Sequence, residues 1–324
     1  MIDFNNIPNA KILVIGDIIL DHYKVGKVER LSPEAPVPLV NIDNELWRTG
    51  GAANVACNIK SIGCNVDLAG IIGNDSNGKI VKKLLSDCQI KTSEIVESSN
   101  IKTTVKTRVI GSDQHIVRYD KEDVLSDIHP DKHLMFGLIR DIINKHEYDM
   151  VVISDYGKGI ISNSTMEFLR TVLDARKIIA DVKPKNKDLY KGIFCITPNR
   201  IESYQMVHVD DSVDMIAKRL KEYLDLKCII ITLSTEGALL VDEDDNVHFI
   251  SPHFYQPSVE RHYRIDVTGA GDTLLSVFSA GVAAGNSLID SLRLANIAAS
   301  IIVTKLGPAS CTLEELKIES GKTQ

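Results

Sequence analysis

Residues 266–273 read DVTGAGDT, and the run that follows, LLSVFSAGVAA at 274–284, is almost wholly apolar. The apolar run predicts a buried helix, and the Gly269-Ala270-Gly271 turn would form its start. Unpaired N–H groups at such a start, added to the helix dipole, attract a phosphate or a developing oxyanion. Asp272 puts a carboxylate at the same place. It reads either as a dipole-favoured first-turn residue or as a general base that takes a proton from a hydroxyl while the turn holds the group under attack. The stretch lacks the GK[ST] ending of a P-loop, and it lies near the C-terminus without GxGxxG spacing.

Working outward, short apolar runs recur at 11–16 (KILVIG), 66–72 (VDLAGII), 150–154 (MVVIS), 177–181 (KIIAD), 193–197 (IFCIT) and 228–233 (CIIITL). Amphipathic patterns at 52–62, 76–87, 132–145, 163–175 and 212–225 separate most of them. Strands alternating with helices predict an α/β fold, a parallel sheet covered on both faces. Ligands then sit beyond the carboxyl ends of the strands. Two segments break the rhythm. Residues 23–47 include RLSPEAPVPLVNIDNELW, whose three prolines exclude a central strand. Residues 101–119, IKTTVKTRVIGSDQHIVRY, alternate around GSDQ like a hairpin. Together they predict a small β-sheet lid on a single domain spanning 1–324.

Composition narrows the function. Of 324 residues, 44% are hydrophobic and 25% charged, which suits one large α/β domain, and the net charge of −7 argues against nucleic-acid or acidic-membrane partners. No run reaches the roughly 20 apolar residues of a membrane helix, and the N-terminus lacks a signal-peptide pattern. The six cysteines form no CxxC pair, which predicts reduced, buried thiols in a cytoplasmic protein. His129 and His133 flank Pro130 and read as a helix start on the surface rather than a metal site.

DVTGAGDTLLSV resembles the C-terminal signature of the ribokinase-like (PfkB-type) carbohydrate kinases, and GGAANVACNIKSIG at 50–63 resembles their N-terminal signature. GDIILDHY, RLSPEAPVPLV, VKTRVIGSDQHIVRYD, SDYGKG, TPNRIE and ANIAASIIVTKLG extend the likeness over about residues 10–312. Together they are most similar to the kinase domain of the ADP-heptose pathway, which phosphorylates D-glycero-D-manno-heptose 7-phosphate at its anomeric oxygen. The resemblance implies a three-layer sandwich with a mostly parallel central sheet and a β-sheet lid. In some relatives the domain is fused to a nucleotidyltransferase; here that second activity is expected elsewhere.

The resemblance also implies roles. Asp272 is the base, and the amides of Gly269, Ala270 and Gly271 form the anion hole. Asp17 and Asp21 grip sugar hydroxyls. Gly50 and Gly51 let the backbone approach the sugar, with Asn54 on a hydroxyl. Lys106, Arg108, Arg118 and Lys158 are candidates for the phosphate that the substrate already carries; as a pattern they read equally as solvated lid charges. Asn199 and Glu202 resemble a site that organises Mg²⁺ and water near ATP, and also a helix start with an acidic first turn. Thr232, Ser234, Glu236 and Gly237 lie beside the nucleotide, and Asp266 near a monovalent cation such as K⁺. ATP and Mg²⁺ are the implied co-substrate and metal. Exposed lid edges and Trp47 predict a homodimer.

Some residues depart from the pattern. His22 stands where close relatives commonly carry Arg, Val277 where a small residue is expected, and Ser300, Thr304 and Pro308 where Gly, Gly and Thr are common. These departures bear on which sugar is used more than on the reaction type. Two other readings remain: a related kinase for another sugar, and a non-catalytic nucleotide- or sugar-binding protein. A nicotinamide-dependent oxidoreductase would need GxGxxG after the first strand, where DIILD stands instead.

Overall fold

The computed structural model describes residues 2–126, 129–174, 177–253, 267–305 and 309–322. In chain order the first half carries strands β1 (Lys11–Gly16), β2 (Ile18–Leu31) and β3 (Pro38–Gly51), helix α1 (Ala52–Ser61), β4 (Asn65–Gly73), α2 (Ser76–Asp87), β5 (Ile95–Ser98), β6 (Thr104–Gly111), β7 (Gln114–Lys121) and α3 (Pro130–Lys145). The second half carries β8 (Met150–Ser154), α4 (Asn163–Val172), β9 (Ile178–Asp181), β10 (Cys195–Ile196), α5 (Arg200–Val207), α6 (Val213–Leu224), β11 (Cys228–Thr232), β12 (Ala238–Val241), β13 (Val247–Ile250), α7 (Ala270–Ala283), α8 (Leu288–Ile302) and α9 (Leu313–Gly321).

Nine strands form one sheet in the order β13-β12-β11-β10-β9-β8-β1-β4-β5. From β11 to β5 every pairing is parallel, and β12 and β13 close one edge antiparallel. Strand β1 shows why the sequence reads as a continuous apolar run. Ile12 and Val14 enter the core cluster on one face, while Leu13 and Ile15 enter the cluster on the other. Period-2 side chains with both faces buried need apolar residues at every position. On the first face α7 packs against α1 and α8. Gly281 has no room for a side chain there, since a Cβ would meet Ser291 Oγ at 2.7 Å.

The two segments that broke the rhythm make a second, four-stranded sheet in the order β3-β2-β6-β7. The β2–β3 and β6–β7 pairs are antiparallel, and β2–β6 is parallel. Trp47 does not lie open on this sheet. It pairs with His22 across β2–β3, and their rings stack at 3.5 Å and 10°. His22 also bonds Glu45 at 2.7 Å, and its burial lowers its pKa. Along a strand neighbouring side chains point to opposite faces, so the departure at His22 falls away from the face that holds Asp21.

The cysteines are free, buried except for the half-buried Cys88. His129 is the N-cap of α3 and accepts from the Asp131 N–H. Among the described residues, no helix is long and apolar enough to cross a membrane.

Candidate active site

The carboxyl ends of the parallel strands and the start of α7 converge. Strand β1 delivers Asp17, β8 delivers Asp155 and Tyr156, β9 delivers Asp181 and Lys183, and β10 leads to Asn199. The second sheet adds Asp21, Lys106 and Arg108 from β2 and β6.

Gly269 is the N-cap of α7 with φ +83°, a left-handed conformation that suits glycine. Gly271 follows inside the first turn, and a Cβ built on it would meet nothing within 4 Å. The turn is therefore open on the side of Gly271, whereas the Ala270 N–H, expected in an anion hole, donates to the Val267 carbonyl at 3.2 Å. Asp272 is buried but does not cap these N–H groups. Its Oδ2 accepts from Asn54 Nδ2 at 2.8 Å and its Oδ1 from the Tyr156 hydroxyl at 2.9 Å. Burial pushes its pKa up to about 6, with the Asn54 and Tyr156 hydrogen bonds opposing that rise. The Asn54 side chain, expected on a sugar hydroxyl, is turned to the carboxylate, and Asn58 on the next turn of α1 bonds Asn54 in turn.

Asp17 accepts at Oδ2 from the N–H groups of Tyr156 (2.7 Å) and Lys158 (3.0 Å). Its Oδ1 is buried with no hydrogen-bond partner among the described residues. Burial, reinforced by Asp155, raises its pKa to about 7. Asp17 also lines a cleft of about 20 Å³ with Thr104 and Lys158. Asp21 is paired with Arg108, yet burial still raises its pKa. The two glycines have reasons inside the chain. A Cβ on Gly50 would meet Asp21 Oδ2 at 2.3 Å, and one on Gly51 (φ +56°) would meet the Asp17 carbonyl at 2.4 Å.

The basic candidates are distributed differently. The Lys106 ammonium lies 4.6 Å from the centre of the Tyr156 ring, and burial lowers its pKa. Arg118 binds both oxygens of Asp120 at 2.9 and 2.5 Å. Lys158 reaches Glu122 at 2.5 Å. Asn199 and Glu202 form a reciprocal capping box at the start of α5. The second oxygen of Glu202 accepts from Lys183 at 2.5 Å. Thr232 pairs with Asn199 in an isolated parallel bridge. Ser234 takes φ +56° in a tight turn with Glu236, which pairs with Arg200 at 2.7 Å. At Gly237 a Cβ would meet the Ile250 carbonyl at 2.1 Å. Asp266 lies outside the described residues, as does Pro308. The Ser300 and Thr304 hydroxyls bond carbonyls three residues back, and Val277 is buried in α7.

Sequence reasoning missed Tyr156, Asp181 and Lys183 as members of the site. Asp181 is buried, and burial raises its pKa to about 8 although Lys183 opposes it. Burial works against charge on Lys183, but Asp181 and Glu202 outweigh it and its pKa rises. A signal existed: all three stand within two residues of a strand's carboxyl end. Lys183 acts on Asp181 and pairs with Glu202, and Lys106 acts on Asp272 from the small sheet, so cations face all three carboxyl groups. Among the described residues no group of three His, Cys, Asp or Glu side chains is placed to cage a metal. Such a carboxylate-rich site suits Mg²⁺, which keeps much of its water and is shared with phosphate oxygens.

A buried carboxylate beside a glycine turn at a helix start, at the carboxyl ends of parallel strands, is an arrangement that phosphoryl transfer can use. Residues 9–316 match the pfkB family of carbohydrate kinases, and the chain belongs to that family. It is 37% identical over 319 residues to the bifunctional protein HldE of Aliarcobacter butzleri, covering 95% of this chain and 63% of that protein. It is 34% identical to the D-beta-D-heptose 7-phosphate kinase of Bordetella bronchiseptica, with 97% of each covered. The fold matches a solved ribokinase of Arabidopsis thaliana, complexed with ribose and ATP, at TM-score 0.74 and 19% identity, covering 96% of this chain and 98% of that one.

Proposed function

We propose that the chain is an ATP-dependent, cytoplasmic kinase that phosphorylates the anomeric hydroxyl of D-glycero-D-manno-heptose 7-phosphate to give the 1,7-bisphosphate. The observation that carries this is Asp272, held by Asn54 and Tyr156 beside the glycine turn on the side of Asp17 and Asp21. Similarity along the whole length of a heptose 7-phosphate kinase supports the choice of sugar.

In this reading Asp17 and Asp21 accept hydrogen bonds from sugar hydroxyls and aim the anomeric oxygen at Asp272. Asp272 takes the hydroxyl proton as that oxygen attacks the γ-phosphorus of ATP, and the bond to the ADP oxygen breaks. The amides of Gly269 and Gly271, and that of Ala270 once it leaves the Val267 carbonyl, receive the charge that develops on the transferred group. Asn199 and Glu202 organise the nucleotide side, with Asp181 and Lys183 adjacent, while Thr232, Ser234, Glu236 and Gly237 lie beside the nucleotide. Mg²⁺, when bound with ATP, would neutralise its phosphates. Lys106, Arg108 and Arg118 lie within electrostatic reach of Asp21 and give counter-charge for the distal phosphate. The small sheet acts as a lid that excludes water from the transfer.

The test is ADP release on a panel of sugars and sugar phosphates. Release with D-glycero-D-manno-heptose 7-phosphate at the highest kcat/KM is expected. Release with another sugar alone would reassign the substrate, and no sugar-dependent release would favour a non-catalytic binder.

We also propose a homodimer through the small sheet. Its outer strands β3 and β7 are open edges, and Ile42, Val117 and Tyr119 on them are exposed. Sedimentation at micromolar concentration is expected to give twice the chain mass, and a monomer would contradict the assignment.

A further inference from the structure

The loop after β8 offers a residue that the mechanism above leaves without a role. Tyr156 touches both functional acids. Its N–H donates to Asp17 Oδ2 at 2.7 Å, and its hydroxyl donates to Asp272 Oδ1 at 2.9 Å. The ring has one ammonium from the small sheet, Lys106, at 4.6 Å from its centre, and one from beyond β9, Lys183, at 5.1 Å. Cations over an aromatic face are attracted by its quadrupole. The loop itself is tied down from below. Buried Asp155 accepts from the Gly157 N–H at 2.7 Å, from Tyr190 at 2.7 Å and from Asn186 at 2.8 Å.

We infer that Tyr156 is a positioning residue that fixes the rotation of the Asp272 carboxylate and ties it to the sugar-binding Asp17. This rests on the reading of Asp272 as the base. A carboxylate has about four acceptor directions. Asn54 and Tyr156 occupy one on each oxygen, so the plane of the group is set before the sugar arrives, and the remaining directions are left for the incoming hydroxyl. With Asn54 alone the carboxylate would be free to turn about its bond, and turnover depends steeply on such alignment. The phenol itself does not titrate in the working range: burial and the neighbouring carboxylate Asp272 hold its pKa well above the usual phenol range. It acts as a fixed donor, not as a proton carrier.

The charged or titratable groups that face Asp272 are Asp21 from β2, Lys106 from β6, Tyr156 after β8, and Asp181 and Lys183 at and after β9. Tyr156→Phe changes none of their charges and removes one donor from the ionised carboxylate. The pKa of Asp272 then rises, and the acid limb of the kcat profile moves up by about one pH unit, with turnover down about threefold at pH 6.5 and about tenfold at pH 5. KM for ATP stays within about threefold. Placing 3-fluorotyrosine at position 156 keeps the ring but strengthens the donor, and the limb moves down. A folded Tyr156→Phe or fluorotyrosine protein whose limb stays in place overturns the proposal. If Tyr156→Phe does not fold, the fluorinated residue decides. Asp272→Asn run in parallel separates the two readings. If that variant retains turnover, the base assignment itself fails; if it is inactive while the Tyr156 profiles do not move, only the positioning role fails.

Discussion

Asp272→Asn should lower kcat by about 10²- to 10⁴-fold, the span typical of a lost general base, while the protein remains folded and binds ATP. Asparagine has nearly the same shape, so the α7 turn and the space beside Gly271 are preserved. Its single oxygen can accept from Asn54 or from Tyr156, but not from both in the present geometry. What vanishes is the capacity to take a proton. The same carboxylate predicts the pH profile of the native enzyme. With its pKa raised to about 6 by burial, Asp272 is ionised and able to accept above that value and protonated below it. Turnover should therefore rise through pH 6 and level off toward pH 8. The measurements are kcat for both proteins from pH 5 to 9 and nucleotide titration of the variant. Turnover in the variant within tenfold of wild type would remove Asp272 from the chemistry.

The fold was legible because its information is local. KILVIG needs only its own six residues to declare a strand buried on both faces, and the 76–87 pattern coincides with α2. The three prolines of 23–47 kept that segment out of the main sheet, and it forms most of β2 and β3 in the smaller one. Strand β5 and the antiparallel pair β12–β13 were harder to see, since four-residue strands show too little periodicity. The site was legible as single residues but not as partners. The bonds to Asp272 cross 218 and 116 positions of chain, and no periodicity reaches that far. For the same reason the sequence points Asn54 at the sugar and shows Lys158 without Glu122, 36 positions away, whereas Arg118 and Asp120, two apart on one face of β7, form a pair that the period of a strand does allow to be read. Trp47 shows the same limit at shorter range. Its size alone does not reveal that the His22 ring, one strand away, stacks on it and leaves it half-buried. The Asn199-x-x-Glu202 spacing fits a capping box and a nucleotide site equally, and the fold realises the first in a place that permits the second.

Asp17→Asn is expected to stabilise the free protein above neutral pH and to impair sugar binding, two effects with one cause. In the folded chain burial, with help from Asp155, raises the Asp17 pKa to about 7 from 3.8. Below about pH 4 the group is protonated in both the folded and the unfolded chain. As pH rises, the unfolded chain gives up the proton first, and stability falls progressively until the folded pKa is passed. Above about pH 7 the whole difference counts against the fold, at most about 4 kcal/mol for a shift of this size. Asparagine removes it. The amide keeps its oxygen for the N–H groups of Tyr156 and Lys158 and places its NH₂ where Oδ1 now lies without a partner. An unpaired buried donor costs about 1–3 kcal/mol, so the net gain is at most about 1–3 kcal/mol, or a few degrees in Tm at pH 8. At pH 4 the gain should disappear. A sugar hydroxyl reverses the balance, because it supplies Oδ1 with the donor that the chain withholds. A hydrogen bond to a charged group contributes about 1.5–3 kcal/mol, so the variant should bind the sugar roughly 10- to 150-fold more weakly, with KM for ATP little changed. Thermal melts at pH 4 and pH 8, with and without sugar phosphate, check both halves. A variant less stable than wild type at pH 8, or one with unaltered sugar affinity, would show that the unpartnered oxygen of Asp17 is not where the fold gives up stability to hold its substrate.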